Sequence, residues 1–421
     1  MNYYFKAGQL AKALSKAVSH SQGSLMALNS YFLLDFKEHD LTIYASNGSA
    51  FFKTGVEYSQ PDLITGGTKL LVIAKEMTAI IKAFAPEAEV TIEVTPKQFL
   101  LLCGKSKYNL ETLGADEFFG TELVDDKAGG SRMIIDYAEI LHLFQTAYPF
   151  IVERSEREYR PMLAGFRFMV KNNEVTVTAT NSHYLCEVVG KCTDGEHWGE
   201  VQLPAEIYGY LKDSFDSGKI TISHKESEGR QLGIYIQDGT SILYHPVIGD
   251  LFVDYSNKIP TSWVTRMEVD VDEFKTALKR VMLISKISQF EFKSSITEVV
   301  RLTKRGDELS IETLSKGGAA KNKGRETIEV SGEGDFVAGF KPQFLLDILS
   351  SIQAPTMIMG VANTLTSMSI TGADGTPFII LMPVRIDEDI GAIVVKNEAS
   401  FNELVAGMKP EGKKKRRRKR G

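Results

Sequence analysis

The sequence predicts an α+β protein made of internal repeats, because six evenly spaced helices each follow a short strand and precede alternating strands. Each predicted helix carries an apolar pair four residues apart, which lies on one helical face and can enter a core. The pairs are Leu10/Leu14, Met77/Ile81, Ile140/Phe144, Ile207/Leu211, Phe274/Leu278 and Phe344/Ile348. Their first members are 67, 63, 67, 67 and 70 residues apart, so a two-helix unit recurs about every 130 residues.

Short apolar runs ahead of the helices are predicted to be strands. They are Leu70–Ile73, Met133–Ile135, Val201–Leu203, Met267–Val271 and Phe336–Ala338. Proline and acidic residues suit the first turn of a helix, and Pro204, Asp272 and Pro342 mark three of the starts.

After each helix the apolar period changes from about 3.6 to 2, which is typical of half-buried antiparallel strands. Examples are Val90–Val94, Val175–Ala179, Ile220–Ile222 and Ser367–Ile370. Turns rich in Asn, Asp and Gly, such as Asn172-Asn173 and Asp374-Gly375, separate these strands. Two such units make one domain of ordinary size, and the length fits three domains.

Composition excludes several classes of protein. The 421 residues are 43% hydrophobic and 24% charged, which is typical of globular chains with substantial cores. No apolar run approaches 18 residues, and we expect a soluble cytoplasmic protein without membrane contact. Cys103, Cys186 and Cys192 have neither paired spacing nor histidines at metal-ligand spacing, so reduced thiols are expected and no metal or cofactor is predicted.

The charge of the chain is concentrated at one end. The formal net charge is −5, and because residues 413–420 contribute eight positive charges, the rest of the chain carries about −13. Duplex-binding proteins that use broad electrostatic attraction are usually basic overall. Contact with DNA would therefore require a local basic surface or a topological device.

The sequence contains none of the common catalytic motifs. H-E-x-x-H, G-x-S-x-G, G-x-x-x-x-G-K-[ST] and paired Cys-x-x-Cys sets are all missing, and we predict no catalytic residue. An enzyme with an unrecognised spatial site and a sequence-specific or architectural nucleic-acid-binding protein without ring closure are the alternatives. The second would need a recognition helix with base-reading side chains, which none of the six helices resembles.

Several segments resemble the bacterial DNA sliding clamp family, the beta subunit of DNA polymerase III. The resemblance spans residues 1–386 and is carried by residues 105–118, 160–166, 178–185, 338–349 and 382–386. It implies three clamp domains, at 1–125, 131–258 and 259–386, each with two helices and antiparallel sheets. It also implies a homodimeric ring that encircles double-stranded DNA as a polymerase processivity factor.

Enclosure would allow an acidic protein to stay on a polyanion without many salt-sensitive phosphate contacts. In such a ring the polar faces of the helices would face the DNA. The DNA-facing candidates are Lys12, Lys16, Lys75, Lys82, Lys212, Lys275, Lys279 and Arg280, although exposed helical lysines are often only solvated.

The resemblance implies that partners insert a short peptide into an apolar cleft between the second and third domains. Expected partners are the DNA polymerase III catalytic subunit, the clamp loader and repair proteins. The matching positions are Leu163, Thr180, Ser182, His183, Tyr184, Leu185, Val253, Asn257, Lys258, Ile380, Leu381, Met382, Pro383, Val384 and Arg385. A few buried anchors can supply most of the affinity of a short peptide.

Some cleft positions depart from the family pattern. Tyr184 replaces a frequent arginine and Ser182 a frequent glycine, while Val253, Asn257 and Lys258 replace proline, arginine and an apolar residue. These departures predict a somewhat different peptide preference.

A dimer seam is predicted where an edge strand closes the first domain. Tyr108 and Leu110 lie on that strand, Ile80 lies on the neighbouring helix, and Leu283 and Ile284 lie at the end of the first helix of the third domain. Pairing across the seam would remove unpaired backbone groups. Packing within one protomer is the competing interpretation.

Residues 387–421 form an extension beyond the usual clamp end and finish in the basic run Lys413–Arg420. A run of like charges repels itself and is predicted to be disordered when free. It could grip DNA in a salt-sensitive way, bind another polyanion, or remain a solvated tail, and the extension could also shield the peptide cleft.

Overall fold

The structure is a computed structural model that describes residues 1–21, 27–59, 67–95, 98–125, 132–195, 198–227, 230–249, 252–259, 262–292, 299–314, 324–361, 367–384 and 393–396. They form two compact units. The first contains Met1–Ala179 and Val189–Phe252, and the second contains Thr180–Val188 and the chain from Val253 onward. The three domain boundaries stay a prediction, and Arg385 and most of the extension lie outside the described residues.

The first stretch of the chain runs to residue 125. Its elements are β1 Asn2–Lys6, α1 Ala7–Val18, β2 Tyr31–Phe36, β3 Asp40–Ser46, β4 Phe51–Glu57, β5 Thr68–Ile73, α2 Ala74–Lys82, β6 Glu89–Thr95, β7 Gln98–Cys103, β8 Ser106–Leu110, β9 Thr112–Gly114 and α3 Thr121–Asp125.

The next stretch follows the same order of strand, helix, strands, helix and strands. Its elements are β10 Arg132–Asp136, α4 Tyr137–Ala147, β11 Gly165–Lys171, β12 Glu174–Thr180, β13 Tyr184–Lys191, β14 Trp198–Pro204, α5 Glu206–Ser214, β15 Lys219–Ser227, β16 Arg230–Gln237 and β17 Ser241–Pro246.

The last stretch repeats the order once more, which confirms the predicted α+β class with repeated two-helix units. Its elements are β18 Thr265–Asp270, α6 Val271–Phe292, β19 Val299–Arg305, β20 Glu308–Leu314, β21 Arg325–Glu329, β22 Ser331–Glu333, β23 Asp335–Phe340, α7 Pro342–Ser351, β24 Thr356–Val361, β25 Met368–Gly372, β26 Phe378–Leu381 and β27 Ile393–Lys396.

Antiparallel sheets organise each unit. In the first unit the strands follow the orders β1-β6-β7-β8 and β10-β15-β16-β17-β4-β3-β2-β5-β9, and β14-β11-β12 lie side by side. In the second unit the orders are β21-β20-β19-β23-β27 and, starting from residues 184–187 of β13, β13-β26-β25-β24-β18-β22. The predicted alternation is confirmed in β6, where every second side chain is buried.

Backbone turns follow the predicted chemistry. Asn172 and Asn173 both have positive φ, at 54° and 62°, and they join β11 to β12, where Lys171 faces Glu174. Asn tolerates this left-handed conformation better than most residues. At the start of α6, the Asp270 carboxylate accepts a 2.8 Å hydrogen bond from the Glu273 amide, which caps the helix.

Five of the six predicted helical pairs are buried, and the sixth is placed one residue too early. Leu345 and Leu349 are 1% and 2% exposed, whereas Phe344 is only half-buried. The core pair of α7 is therefore Leu345/Leu349. The prediction failed here because both pairs have the same spacing, and only the contacts of Phe344 distinguish them.

Helix α6 is longer than the sequence pattern predicts. It continues to Phe292, so Leu283 and Ile284 lie in the middle of the helix and not at its end. Leu283 is 59% exposed.

A buried histidine joins the first two stretches of the first unit. His20 is fully buried, its Nε2 atom lies 2.5 Å from the Ser214 hydroxyl at the end of α5, and its ring stacks on Phe52 at 4.5 Å. Its Nδ1 atom has no hydrogen-bond partner within the described part of the chain. Burial, with a smaller contribution from His245, lowers the pKa of His20 to about 3.

We expect the first unit to lose stability in acid as a result. The unfolded chain protonates His20 near pH 6.5 and the folded chain does not until about pH 3, so the contribution is complete above pH 6.5 and is lost as the pH falls toward 3. Between pH 7.5 and 5 the loss should be about 2 kcal/mol. Urea unfolding of the wild type and His20→Asn at both pH values measures it, and equal pH dependence in the two proteins would contradict the assignment.

Candidate functional site

A rigid turn in the second unit carries the first predicted cleft residues. The Asn181 side-chain oxygen accepts hydrogen bonds from the amides of His183 and Tyr184, at 3.0 and 3.2 Å. The Thr180 hydroxyl donates to the Tyr184 carbonyl at 2.8 Å and accepts from the Ser182 amide at 3.2 Å. These bonds fix the turn and leave His183 exposed.

Ser182 explains why a glycine is common at its position. Its φ is +74°, in the left-handed region that L-residues with a Cβ enter at a cost of about 1–2 kcal/mol. The serine is held there by the hydrogen bonds of its neighbours.

Strand pairing brings the first predicted cleft segment against the last one. Tyr184 faces Leu381 and Leu185 faces Ile380 in the β13–β26 ladder. The Met382 amide then donates to the His183 carbonyl at 2.8 Å, beyond the end of β26. Residues that are almost 200 positions apart in the sequence therefore form one surface.

The exposed and buried members of this surface have different roles. Thr180, Tyr184, Leu185, Ile380 and Leu381 are buried and form its base. The solvent-facing members are Ser182, His183 and Met382, of which Met382 is 42% exposed, and Pro383 and Val384 are half-buried. An exposed methionine beside an aromatic base provides an adaptable apolar contact surface.

Phe344 of α7 completes the aromatic base, although the sequence analysis assigned it to the core. Its ring lies 4.5 Å from the Tyr184 ring and 5.6 Å from the His183 ring. The Lys341 ammonium lies 5.0 Å from the centre of the Phe344 ring, within the range of a cation–π contact. The signal available in the sequence was Leu345/Leu349, a second apolar pair that frees Phe344 from the core.

Tyr184 is positioned from below by a carboxylate. Its hydroxyl donates to Asp347 Oδ2 at 2.9 Å, and the Gln343 amide donates to Asp347 Oδ1 at 2.9 Å. The polar tip of this buried tyrosine is thus satisfied, and its ring is held against Phe344.

The remaining predicted cleft residues are more scattered. Val253 is half-buried and Asn257 is exposed, both in the second unit. Leu163 is 9% exposed in the first unit, in a turn that Gln202 holds through the carbonyls of Pro161 and Met162. Lys258 ends a short 3-10 turn, and Arg385 lies outside the described residues.

Three of the predicted DNA-facing cations have carboxylate partners. Lys12 and Lys16 lie 2.7 and 3.3 Å from Asp216 and Asp238, and Arg280 makes two bonds to Glu326 at 3.0 and 2.8 Å. The Asp216 hydrogen bond raises the pKa of Lys12. Among the others, Lys275 is half-buried and Lys75, Lys82, Lys212 and Lys279 are exposed.

The predicted seam residues lie on and beside a sheet edge. Strand β8 is the last strand of its four-stranded sheet, and in the described chain it pairs only with β7. Tyr108 is 40% exposed and packs edge-on against Phe84 at 6.1 Å, while Leu110 and Ile80 are half-buried. The surface is therefore partly apolar and has free backbone groups.

The described residues contain no group of three or more His, Cys, Asp or Glu side chains that could hold a metal ion. Within the same ranges, no helix is long and apolar enough to cross a membrane.

Two family models match the chain. The model of the N-terminal domain of the DNA polymerase III beta subunit matches residues 1–121, and the model of its C-terminal domain matches residues 257–385. Together they cover more than half of the sequence.

Curated relatives and solved structures agree with these models. The beta sliding clamp of Rickettsia bellii is 24% identical over 371 residues, which cover 84% of this chain and 89% of the relative, and that of Bacillus subtilis is 24% identical over 322 residues, which cover 75% and 80%. The DNA polymerase III beta subunit of Pseudomonas aeruginosa superimposes with a TM-score of 0.80 at 18% identity, covering 91% of this chain and 100% of that one. The beta subunit of Thermotoga maritima gives 0.77 at 18% identity, covering 92% and 100%.

The repeated fold, the paired β13–β26 surface and the two family models lead to one conclusion. This chain belongs to the family of bacterial DNA sliding clamps, the beta subunits of DNA polymerase III.

Proposed function

We propose that this chain is a DNA polymerase processivity factor that encircles duplex DNA as a homodimeric ring. The observation that carries the proposal is the match of both ends of the chain to the two clamp domain models. We propose domains at 1–125, 131–258 and 259–386, with no catalytic activity and a cytoplasmic location. The partners are the polymerase III catalytic subunit, the clamp loader and repair proteins.

Enclosure suits the charges of this protein. The chain without its basic run carries about −13, and carboxylates neutralise Lys12, Lys16 and Arg280 locally. A surface that binds phosphates needs cations that are not already paired with carboxylates. A closed ring needs no tight electrostatic contact, so charge balance on its helices is compatible with holding DNA.

We propose that the ring closes by pairing two sheet edges. Strand β8 ends one sheet and β21 ends another, and each lacks a strand on its outer side within the described chain. Pairing β8 of one protomer with β21 of another would satisfy both edges and repeat around a two-fold axis. Charge favours this pairing, since Lys105 and Lys107 flank or lie on β8 and Glu326 and Glu329 lie on β21.

We propose the surface formed by His183, Tyr184, Phe344 and Met382 as the peptide-binding site. It offers a ring stack, an exposed thioether and free strand-end backbone, which suit an extended peptide with apolar or aromatic anchors. Two related clamp structures, from Pseudomonas aeruginosa and Bartonella birtlesii, are bound to griselimycin, which provides a probe.

Topological retention tests the function. After loading onto nicked circular DNA with a clamp loader and ATP, the protein should stay bound through a wash in about 0.5 M salt, because enclosure does not depend on phosphate contacts. Cutting the circle should release it. Equal retention on circular and linear DNA, or a monomeric mass, would contradict the proposal.

The seam is tested by Tyr108→Asp. A charge in place of a half-exposed aromatic at an interface should weaken dimerisation at least tenfold, about 1.4 kcal/mol. Mass photometry over a dilution series gives the dimer dissociation constant. Tyr159→Asp, at a tyrosine that is 82% exposed and on neither sheet edge, is the control and should leave it unchanged. If Tyr108→Asp dimerises like the control, β8 is not the seam.

The peptide site is tested by Phe344→Ala. Loss of the ring that contacts His183 and Tyr184 should weaken griselimycin binding at least tenfold, measured by calorimetry, while retention on circular DNA stays normal. Tyr148→Ala removes another partly exposed aromatic ring, one that packs on Tyr208 at 4.9 Å, and should bind griselimycin normally. Unchanged binding by Phe344→Ala would place the site elsewhere.

A further inference from the structure

The chain returns to its own sheet after the end of the peptide site. The Val384 amide donates to the Gly339 carbonyl at 2.8 Å on the outer edge of β23. Strand β27 then pairs antiparallel with the same edge, with Ile393 facing Ala338 and Lys396 facing Asp335. The extension is therefore attached to the second unit at a defined point, the start of β23.

That attachment point is held firmly by its surroundings. The Asp335 carboxylate accepts a 3.0 Å bond from the Gly306 amide. The Lys304 ammonium, whose side chain is 1% exposed, donates to the carbonyls of Gly306, Gly332 and Gly334 at 2.7, 3.1 and 2.9 Å. All three ammonium hydrogens have acceptors, which fixes the backbone just before β23.

The basic run can reach past the domain that holds it. Lys413 is 17 residues after Lys396, and 17 residues span at most about 55–60 Å. A domain of about 130 residues has a radius of gyration of about 14 Å and is roughly 35–40 Å across. A cation rooted at the start of β23 can therefore contact a ligand on any side of that domain.

The described helices leave this run as the main concentrated positive charge. Lys12 and Lys16 face Asp216 and Asp238, and Arg280 faces Glu326. By contrast, residues 413–420 are eight consecutive cations with no acidic residue among them. Of all segments of the chain, this run has the charge density that matches a polyanion.

We propose that the extension is a strand-anchored basic arm that binds the phosphates of duplex DNA without regard to sequence. The inference rests on the proposed function, because the ring keeps DNA within reach of the arm and raises its effective concentration. The arm adds a salt-dependent contact to the salt-resistant enclosure. Before closure it gives an acidic protein an affinity for DNA that its body lacks.

Salt dependence measures the arm directly. Each phosphate neutralised on a duplex contributes about −0.9 to the slope of log K against log salt, so eight contacts contribute up to about −7. Binding by the full chain to a labelled 30-base-pair linear duplex, which a ring can leave freely, should weaken up to about 10⁴-fold from 50 to 200 mM NaCl. Changing residues 413–420 all to Gln should flatten the slope.

Truncation after Glu411 should give the same flattened slope, which separates charge from sequence. Slopes within about one unit of each other for the full chain and the Gln variant would overturn the proposal. Tighter binding of an RNA hairpin of equal charge would overturn the assignment to duplex DNA. Retention of both variants on nicked circles reports enclosure separately, so a failed ring and a failed arm give different results.

The anchor is tested with Val394→Pro combined with Val395→Pro, since proline removes the backbone donors that β27 needs. The arm would then start near Val384, 29 residues before Lys413, and its effective concentration should fall about twofold. The affinity of loaded protein for its circle at low salt should fall by that factor with an unchanged slope. A flattened slope in this variant would contradict a contact made by charge alone.

Discussion

Unpaired backbone groups at strand edges are the constraint on which the assembly of this molecule depends. A buried or exposed sheet edge must find a partner, be covered, or remain a site for association. Here the outer edges of β5 and β23 are covered by β9 and β27, and Gln202 of β14 is bridged by Ile248. Edges β8 and β21 lack such a cover, and those are the two that we assign to the ring closure.

Electrostatics and topology divide the work of holding DNA. Ion pairs on the helices spend positive charge inside the protein, which lowers direct affinity for phosphate but leaves a smooth, balanced surface. A ring with such a surface can slide, because no single contact has to be broken at high cost. The adjustable part of the affinity then lies in a short segment outside the repeated fold.

The repeated fold was predictable because its signals are local. Apolar spacing and turn residues lie within ten or so positions, and they located the helices and most strands correctly. Phe344 was misplaced because adjacent pairs in α7 satisfy the same helical spacing, and only the distant rings of His183 and Tyr184 decide between them. The carboxylates facing Lys12 and Lys16 are about 200 residues away, so no local pattern could reveal them. The four residues of β27 give almost no propensity signal, and they form a strand because β23 offers an open edge.

Strand β27 also determines where the repeat series stops. After the first repeat, the chain that covers β5 leads into another repeat, and the residue that bridges β14 leads into a third. At β23 the same position is filled, but no further repeat follows within the sequence. In repeat proteins, terminal caps protect the last open face from neighbouring molecules. β27 is such a cap, and it makes the third domain a terminus in the architectural sense, closed to strand exchange with other chains on that side.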